Sequence, residues 1–418
     1  MLPYFKRSED QVRGPSAAHG TGGELGVDDL RASWEILDVF RQAAVETGIP
    51  PTDDFNGGES EGVGFFQVTQ RNGRRESTSR AFLRPALKRP NLTVLTGAQV
   101  GRIRFAGRRA EGVEFRQGEA DAYVAADQEV ILSAGSVGSP QILQLSGIGN
   151  PALLRPLGIE IVAEARDVGE NLQDHPAVRM MFKVSNTRTL NNQLSSTLGK
   201  LAMAAEYALF RRGPLTIPPA LVNAFVKSDR AMASPDLQYV VYPLTYDVVG
   251  EPAHSFPAFT GSICLVRPHS RGSIRIKSTD PAAAPAIRLN FLDNEADRRA
   301  AVAGIRAMRR VVGAPAFRPF AAEEFKPGPS LDSDEEIAAG ASAITSTIFH
   351  PTSTCRMGPD DRAVVDERLR VRGVSGLRVA DASVMPLIVS GNTNAAKIMI
   401  AEKASDMIKE DRRAAGRA

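Results

Sequence analysis

At 418 residues the chain has room for two or three domains of the usual ~100–200 residues, and its 43% hydrophobic and 24% charged content is that of an ordinary globular protein. A formal charge of only +3, with no basic stripe and interleaved aromatics, sets aside a nucleic-acid groove. Two cysteines and five scattered histidines without a CxxC set aside a disulfide framework and a zinc site and fit a reducing, cytoplasmic compartment; no apolar run reaches the ~18 residues of a membrane span.

In chain order, residues 1–60 are punctuated by Gly and Pro around one helix, expected at about Asp28 to Thr47, with Leu30, Trp34, Leu37, Phe40 and Ala44 at helical spacing. A polar-faced helix is expected over 78–90. Strands are expected at Leu92–Leu95, Val100–Phe105 and Ala110–Arg116, the last two joined as a hairpin at Gly107-Arg108. Ala122–Ala125 and Glu129–Ser133 follow. The second of these runs into the small-residue turn Ala134-Gly135-Ser136-Val137-Gly138-Ser139-Pro140 and a helix from Gln141. Strand, small turn and helix make a place where backbone can approach a ligand's phosphate or ring, and equally an ordinary tight turn.

From 176 to 345 the pattern changes. Strands are expected at Met180–Val184, Leu237–Val241, Gly261–Val266 and Gly272–Ile276, and helices at 195–211 and 294–312, which predicts an antiparallel sheet with helices on one side. After 345 the chain is expected to return to the first unit. The domain reading is therefore 1–175, 176–345 and 346–418. The last segment carries His350 in a Phe-His-Pro context, the strand Leu377–Ala380 ending at Asp381-Ala382, and the polar knot Ser390-Gly391-Asn392-Thr393-Asn394 before a helix expected at Ala395–Lys409. A His and an Asn delivered from separate segments can face one reacting atom, which points to proton transfer and an oxidoreductase.

Together these segments resemble the glucose–methanol–choline (GMC) family of flavin-dependent alcohol oxidoreductases. Gly135-Ser-Val-Gly-Ser-Pro-Gln-Ile-Leu-Gln-Leu-Ser-Gly-Ile-Gly149 is similar to the family's second signature. Val168-Gly-Glu-Asn-Leu-Gln-Asp-His-Pro176, Arg267-Pro-His-Ser-Arg-Gly-Ser273 and the C-terminal stretch follow in the family's order. The nearest resemblance is to the choline dehydrogenase-like and alcohol dehydrogenase-like branch. It implies a mixed α/β fold, with an incomplete FAD-binding domain and a substrate domain of antiparallel sheet and flanking helices. The family's opening GxGxxG unit has no counterpart here: Gly20-Thr-Gly-Gly-Glu-Leu-Gly26 follows no predicted strand and opens no βαβ unit, so it is not read as a dinucleotide site.

The resemblance implies FAD as cofactor, a primary alcohol (choline-like, aliphatic or aromatic) as small-molecule substrate, and an aldehyde as product. His350 takes the place of the catalytic base, and its unperturbed pKa of ~6.5 suits that task. Asn392 stands where relatives carry a second His or an Asn, and its amide can donate to an oxygen that develops charge. Its alternative is a helix N-cap. Thr393 and Asn394, at a helix N-terminus, match positions beside the flavin pyrimidine. Asp381 and Ala382 match the pyrophosphate and ribityl region, Val100 the adenine, and Ala134 and Gly135 the small turn beside the cofactor. His175 is read as structural. Three readings stand: an FAD-dependent alcohol dehydrogenase whose first segment is missing from the chain as given, a remnant unable to hold FAD, and a half-protein completed by a separate Rossmann-bearing chain.

Overall fold

The computed structural model describes all residues except Ile217, Pro219, Val249 and 416–418. The principal strands are β1 (Gly62–Phe65), β2 (Ala98–Ala106), β3 (Arg109–Gln117), β4 (Ala120–Ala125), β5 (Val130–Leu132), β6 (Pro176–Lys183), β7 (Val222–Val226), β8 (Leu237–Tyr242), β9 (Ala258–Leu265), β10 (Glu323–Lys326) and β11 (Leu377–Val379). The principal helices are α1 (Glu35–Glu46), α2 (Gly135–Leu145), α3 (Thr197–Phe210), α4 (Glu295–Val312), α5 (Asp334–Ile344) and α6 (Asn394–Ala415).

A seven-stranded antiparallel sheet runs in the order β10-β6-β9-β8-β7-β1, with Thr345–Thr347 added beside the first residues of β6. Alternation along its strands gives it two unlike faces. Val178, Met180 and Phe182 of β6, Val222, Ala224 and Val226 of β7, Leu237, Tyr239 and Val241 of β8, and Phe259 and Ile263 of β9 join one apolar core with α1, α4 and α5. Several of the intervening positions are buried and polar: Asn223, Gln238, Thr260 and Ser262 are all nearly inaccessible. A buried polar face must be hydrogen-bonded, so this side of the sheet is where a polar site can be built.

The second core joins β2, β3, β5 and α2 to β11 and α6. β5 and β11 pair in parallel, Val130 with Leu377 and Leu132 with Val379, which brings the C-terminal segment back against the segment around residue 130. Arg378 is buried here and reaches Glu129 (2.6 Å) and Asp411 (2.5 Å).

Several expectations are corrected. The helix expected from Asp28 begins at Glu35, because Leu25–Asp29 is extended and pairs in parallel with Glu9–Gln11. Residues 34–65 contribute α1 and β1 to the large sheet and its core. Leu92–Leu95 forms no strand: no neighbouring segment pairs with it, and Leu92, Val94 and Leu95 stay exposed. The helix expected over 78–90 forms but ends early, a π-helical stretch at Ser79–Leu83 running on into Arg84–Ala86. α2 starts at Gly135, not Gln141, with Pro140 inside it. Pro140 has no N–H for the carbonyl of Ser136; the Thr354 hydroxyl donates to that carbonyl instead (2.8 Å).

Candidate functional site

His350 lies just beyond the Thr345–Thr347 strand, in a tight loop. Phe349 before it holds a left-handed φ of 63°, costly for a bulky residue and a common mark of functional loops. The buried carboxylate of Asp174 fastens this loop. One oxygen, Oδ1, accepts the backbone N–H of His350 (2.9 Å) and that of His175 (2.8 Å); the other accepts the Thr347 hydroxyl. Burial raises the Asp174 carboxyl, against the pull of these bonds.

The imidazoles of His175 and His350 meet edge to face, with Nδ1 to Nδ1 at 3.1 Å. His175 Nε2 reaches the carbonyl of Val389 at 3.0 Å, in the segment that leads to the polar knot. Gln173 holds the same segment, accepting from Ile388 N–H (3.2 Å) and donating to the Pro386 carbonyl (3.4 Å). Burial, with the positive Lys397 as second cause, lowers the His350 pKa to about 4, so the ring is neutral at pH 7. Burial likewise lowers His175 to about 3.

Thr393 occupies the N-cap position of α6: its carbonyl accepts the Lys397 N–H (3.1 Å). Asn392 is thus not the cap. Its Oδ1 accepts from Gln238 Nε2 (3.3 Å), which also donates to Asn223 Oδ1 (3.1 Å). The polar face of the large sheet therefore takes the acceptor end of Asn392 and turns its NH₂ end elsewhere. Phe225, on the same face of β7, lies against Gly391 and pairs edge to face with Phe55 at 5.5 Å.

The remaining expected residues sit in the second core. Asp381 fully engages its carboxylate within the protein. Oδ2 accepts from Gly135 N–H (2.9 Å) and Ser139 Oγ (2.5 Å), and Oδ1 from Ser383 N–H (2.8 Å) and Oγ (2.5 Å). It joins the end of β11 to the start of α2. Ala382 is buried behind it, Ala134 is exposed, and Gly135 holds φ 78° with open space where a Cβ would stand. Val100 packs at the margin of this core. The run Gly20–Gly26 leads into the strand Leu25–Asp29, not a helix, and Gly20 and Gly23 lie on the backbone of Lys6 and Ser8 too closely for any Cβ.

Sequence reasoning missed Asp174, Lys397 and Gln238, and took His175 as structural. Tyr239, Phe210 and Phe256 of the 176–345 segment do not converge on this site. Tyr239 is in the apolar core with its hydroxyl on the Gly304 carbonyl (3.1 Å), Phe210 is exposed on α3, and Phe256 stacks on His254.

Family models described as GMC oxidoreductase match residues 1–177 and 268–401. An alcohol dehydrogenase [acceptor] of Pseudomonas putida is 40% identical over 407 residues, 97% of this chain and 74% of that protein. An oxygen-dependent choline dehydrogenase of Serratia proteamaculans is 39% identical over 98% of this chain and 74% of its own length. Among solved structures, pyridoxine 4-oxidase from Mesorbium loti superposes with a TM-score of 0.86 at 27% identity, covering 98% of this chain and 76% of that one. An FAD-dependent oxidoreductase from Chaetomium thermophilum does so with 0.88 at 26%, covering 99% and 80%. The chain belongs to the GMC oxidoreductase family. Among the described residues no helix is long and apolar enough to cross a membrane.

Proposed function

We propose that the protein oxidises a primary alcohol to the aldehyde with FAD as hydride acceptor, and that His350 is the base. The observation that carries this reading is a partly buried imidazole, pinned through its backbone N–H and set against His175, which in turn reaches the Val389 carbonyl just before the polar knot. The residues fit the reactive end of a flavin. Thr393 Oγ1 is buried without a partner at the start of α6, and Asn394 and Ala395 are exposed in the first turn, where backbone N–H groups lack helical partners and favour an anionic ring edge. Thr393 and Asn394 would hold that edge. Val100, Ala134, Gly135 and Ala382 would border the rest of the cofactor, with Asp381 setting the turn at Gly135.

A bound flavin supplies a two-electron acceptor for the hydride that leaves the alcohol carbon. The protein's part is proton handling and placement. The substrate O–H bond breaks as His350 takes the proton, and the Asn392 NH₂ donates to the oxygen as its charge grows. The apolar remainder of the substrate lies against Phe225 and Phe55. This favours an aliphatic or aromatic alcohol, and a choline-like cation is the second reading, supported by the dehydrogenase relative of that name. The test is to incubate the chain with FAD, desalt, and add alcohols without oxygen. Bleaching of a retained flavin spectrum by a primary alcohol is the expected result. Retained flavin that no alcohol bleaches overturns the reading, and a colourless protein favours the alternatives in which this chain alone cannot hold FAD.

A further inference from the structure

We propose that His175 is a positioning residue that fixes the tautomer of His350, leaving Nε2 of His350 as the bare nitrogen that faces substrate. The role rests on the reading of His350 as base; the tautomer does not.

The assignment follows from which atoms can donate. The Val389 carbonyl only accepts, so His175 Nε2, at 3.0 Å from it, carries a proton. A neutral imidazole has one N–H, so His175 Nδ1 presents a lone pair. The ring is neutral because burial and the neighbouring His350 disfavour its charge. The contact between the two Nδ1 atoms at 3.1 Å needs one donor, and only His350 can supply it. Neutral His350 is then protonated on Nδ1 and bare on Nε2. The chain of bonds runs His350 Nδ1–H to His175 Nδ1, then His175 Nε2–H to the Val389 carbonyl.

A further backbone acceptor, the Val266 carbonyl, lies against His175 and, like that of Val389, favours a proton on that ring. The charged groups that face the pair are Asp174 and Lys397. Asp174 is occupied by two backbone amides and the Thr347 hydroxyl, and Lys397 donates only. Both rings hang from backbone amides held by one carboxylate oxygen, so their relative placement is set before any ligand arrives. When Nε2 takes the substrate proton, His350 becomes an imidazolium whose Nδ1–H still donates to His175. The cation forms against an acceptor already in place, as in triads where a third group orients a catalytic histidine.

The test reads the ring nitrogens directly. With ¹⁵N-labelled histidine, five rings report, and the signals of His175 and His350 are assigned from His175→Phe and His350→Ala. At neutral pH the expected pattern is Nδ1–H with bare Nε2 for His350, and the reverse for His175. In His175→Phe, with far-UV circular dichroism unchanged, His350 should acquire a substantial Nε2–H population. His175→Asn, whose Oδ1 can accept in place of Nδ1, should restore the original pattern. In flavin-loaded enzyme His175→Phe should lower kcat/KM at least ~10-fold, with recovery in the Asn variant. Nε2–H on His350 in the unmodified chain, or an unchanged tautomer in folded His175→Phe, overturns the proposal. Unchanged turnover in His350→Ala instead removes the base reading and leaves the tautomer result standing.

Discussion

An imidazole becomes a useful base when its surroundings keep it neutral without tying up its lone pair, and His350 meets both conditions. Burial and Lys397 lower its pKa from 6.5 to about 4. The acid limb of kcat/KM is therefore expected near pH 4, and a limb at 6.5 in the pH–rate profile would mean a solvated ring. The same shift acts on folding. A histidine that prefers neutrality in the folded state destabilises it once the unfolded chain takes up the proton, so stability should fall as pH drops from 6.5 towards 4. His350→Ala should cost at least ~10² in kcat/KM. Asn392 depends on Gln238 for its orientation: Asn392→Ala should cost ~10²–10³ in kcat, and Gln238→Leu, which lets the amide turn, about tenfold. Equal losses would show that Gln238 does more than orient. The reading of His350 and Asn392 as site residues rests on the family motifs that surround them. The role argued for His175 was not, since its partner stands 175 positions away and nothing local to Asp174-His175-Pro176 marks the pairing.

Elements were legible where one period ran unbroken. β6, β8, β9, α3 and α4 fall close to their expected places; the strands and α4 set a regular apolar face against the core, whereas α3 buries only Met203. β7 was not foreseen. It follows the Pro-rich stretch from Gly213 to Ala220, and Asn223 breaks its apolar run for a purpose that only the folded sheet reveals, the bond to Gln238. Long-range pairing also decides Leu92–Leu95, whose strand propensity is real but unpartnered. In α2, Pro140 was read as the end of a turn, whereas tertiary structure accommodates it. The Thr354 hydroxyl, fully buried, satisfies the Ser136 carbonyl that Pro140 cannot. Thr354→Val keeps the shape and removes the donor. It should destabilise the protein by about 1–2 kcal/mol in chemical denaturation, and no change would mean that another donor reaches Ser136.

At the scale of the molecule, two cores share one chain, and segments far apart in sequence must be locked to one another. Arg378 is the most buried of the ion-paired side chains among the described residues. From the centre of β11 it binds Glu129 before β5, Asp411 near the end of α6, and the Arg368 carbonyl (2.8 Å). Burial works to raise the Asp411 carboxyl, and the Arg378 and Arg368 guanidiniums outweigh it, so the group stays below the usual carboxylate range. Removing Arg378 leaves Glu129 half-buried without this partner and frees the Arg368 carbonyl, while Asp411 keeps its pair with Arg368. Arg378→Ala should therefore cost about 1–3 kcal/mol in denaturant titration at neutral pH. Arg378→Lys, which keeps the charge but not the planar fork, should lose less. A carboxylate with a depressed pKa stabilises above its unfolded value and loses that contribution as pH falls through the folded one. The gap between the unmodified protein and Arg378→Ala should accordingly narrow in acid. A gap independent of pH would mean that the arginine acts through the packing of its stem and not through its partners' charge.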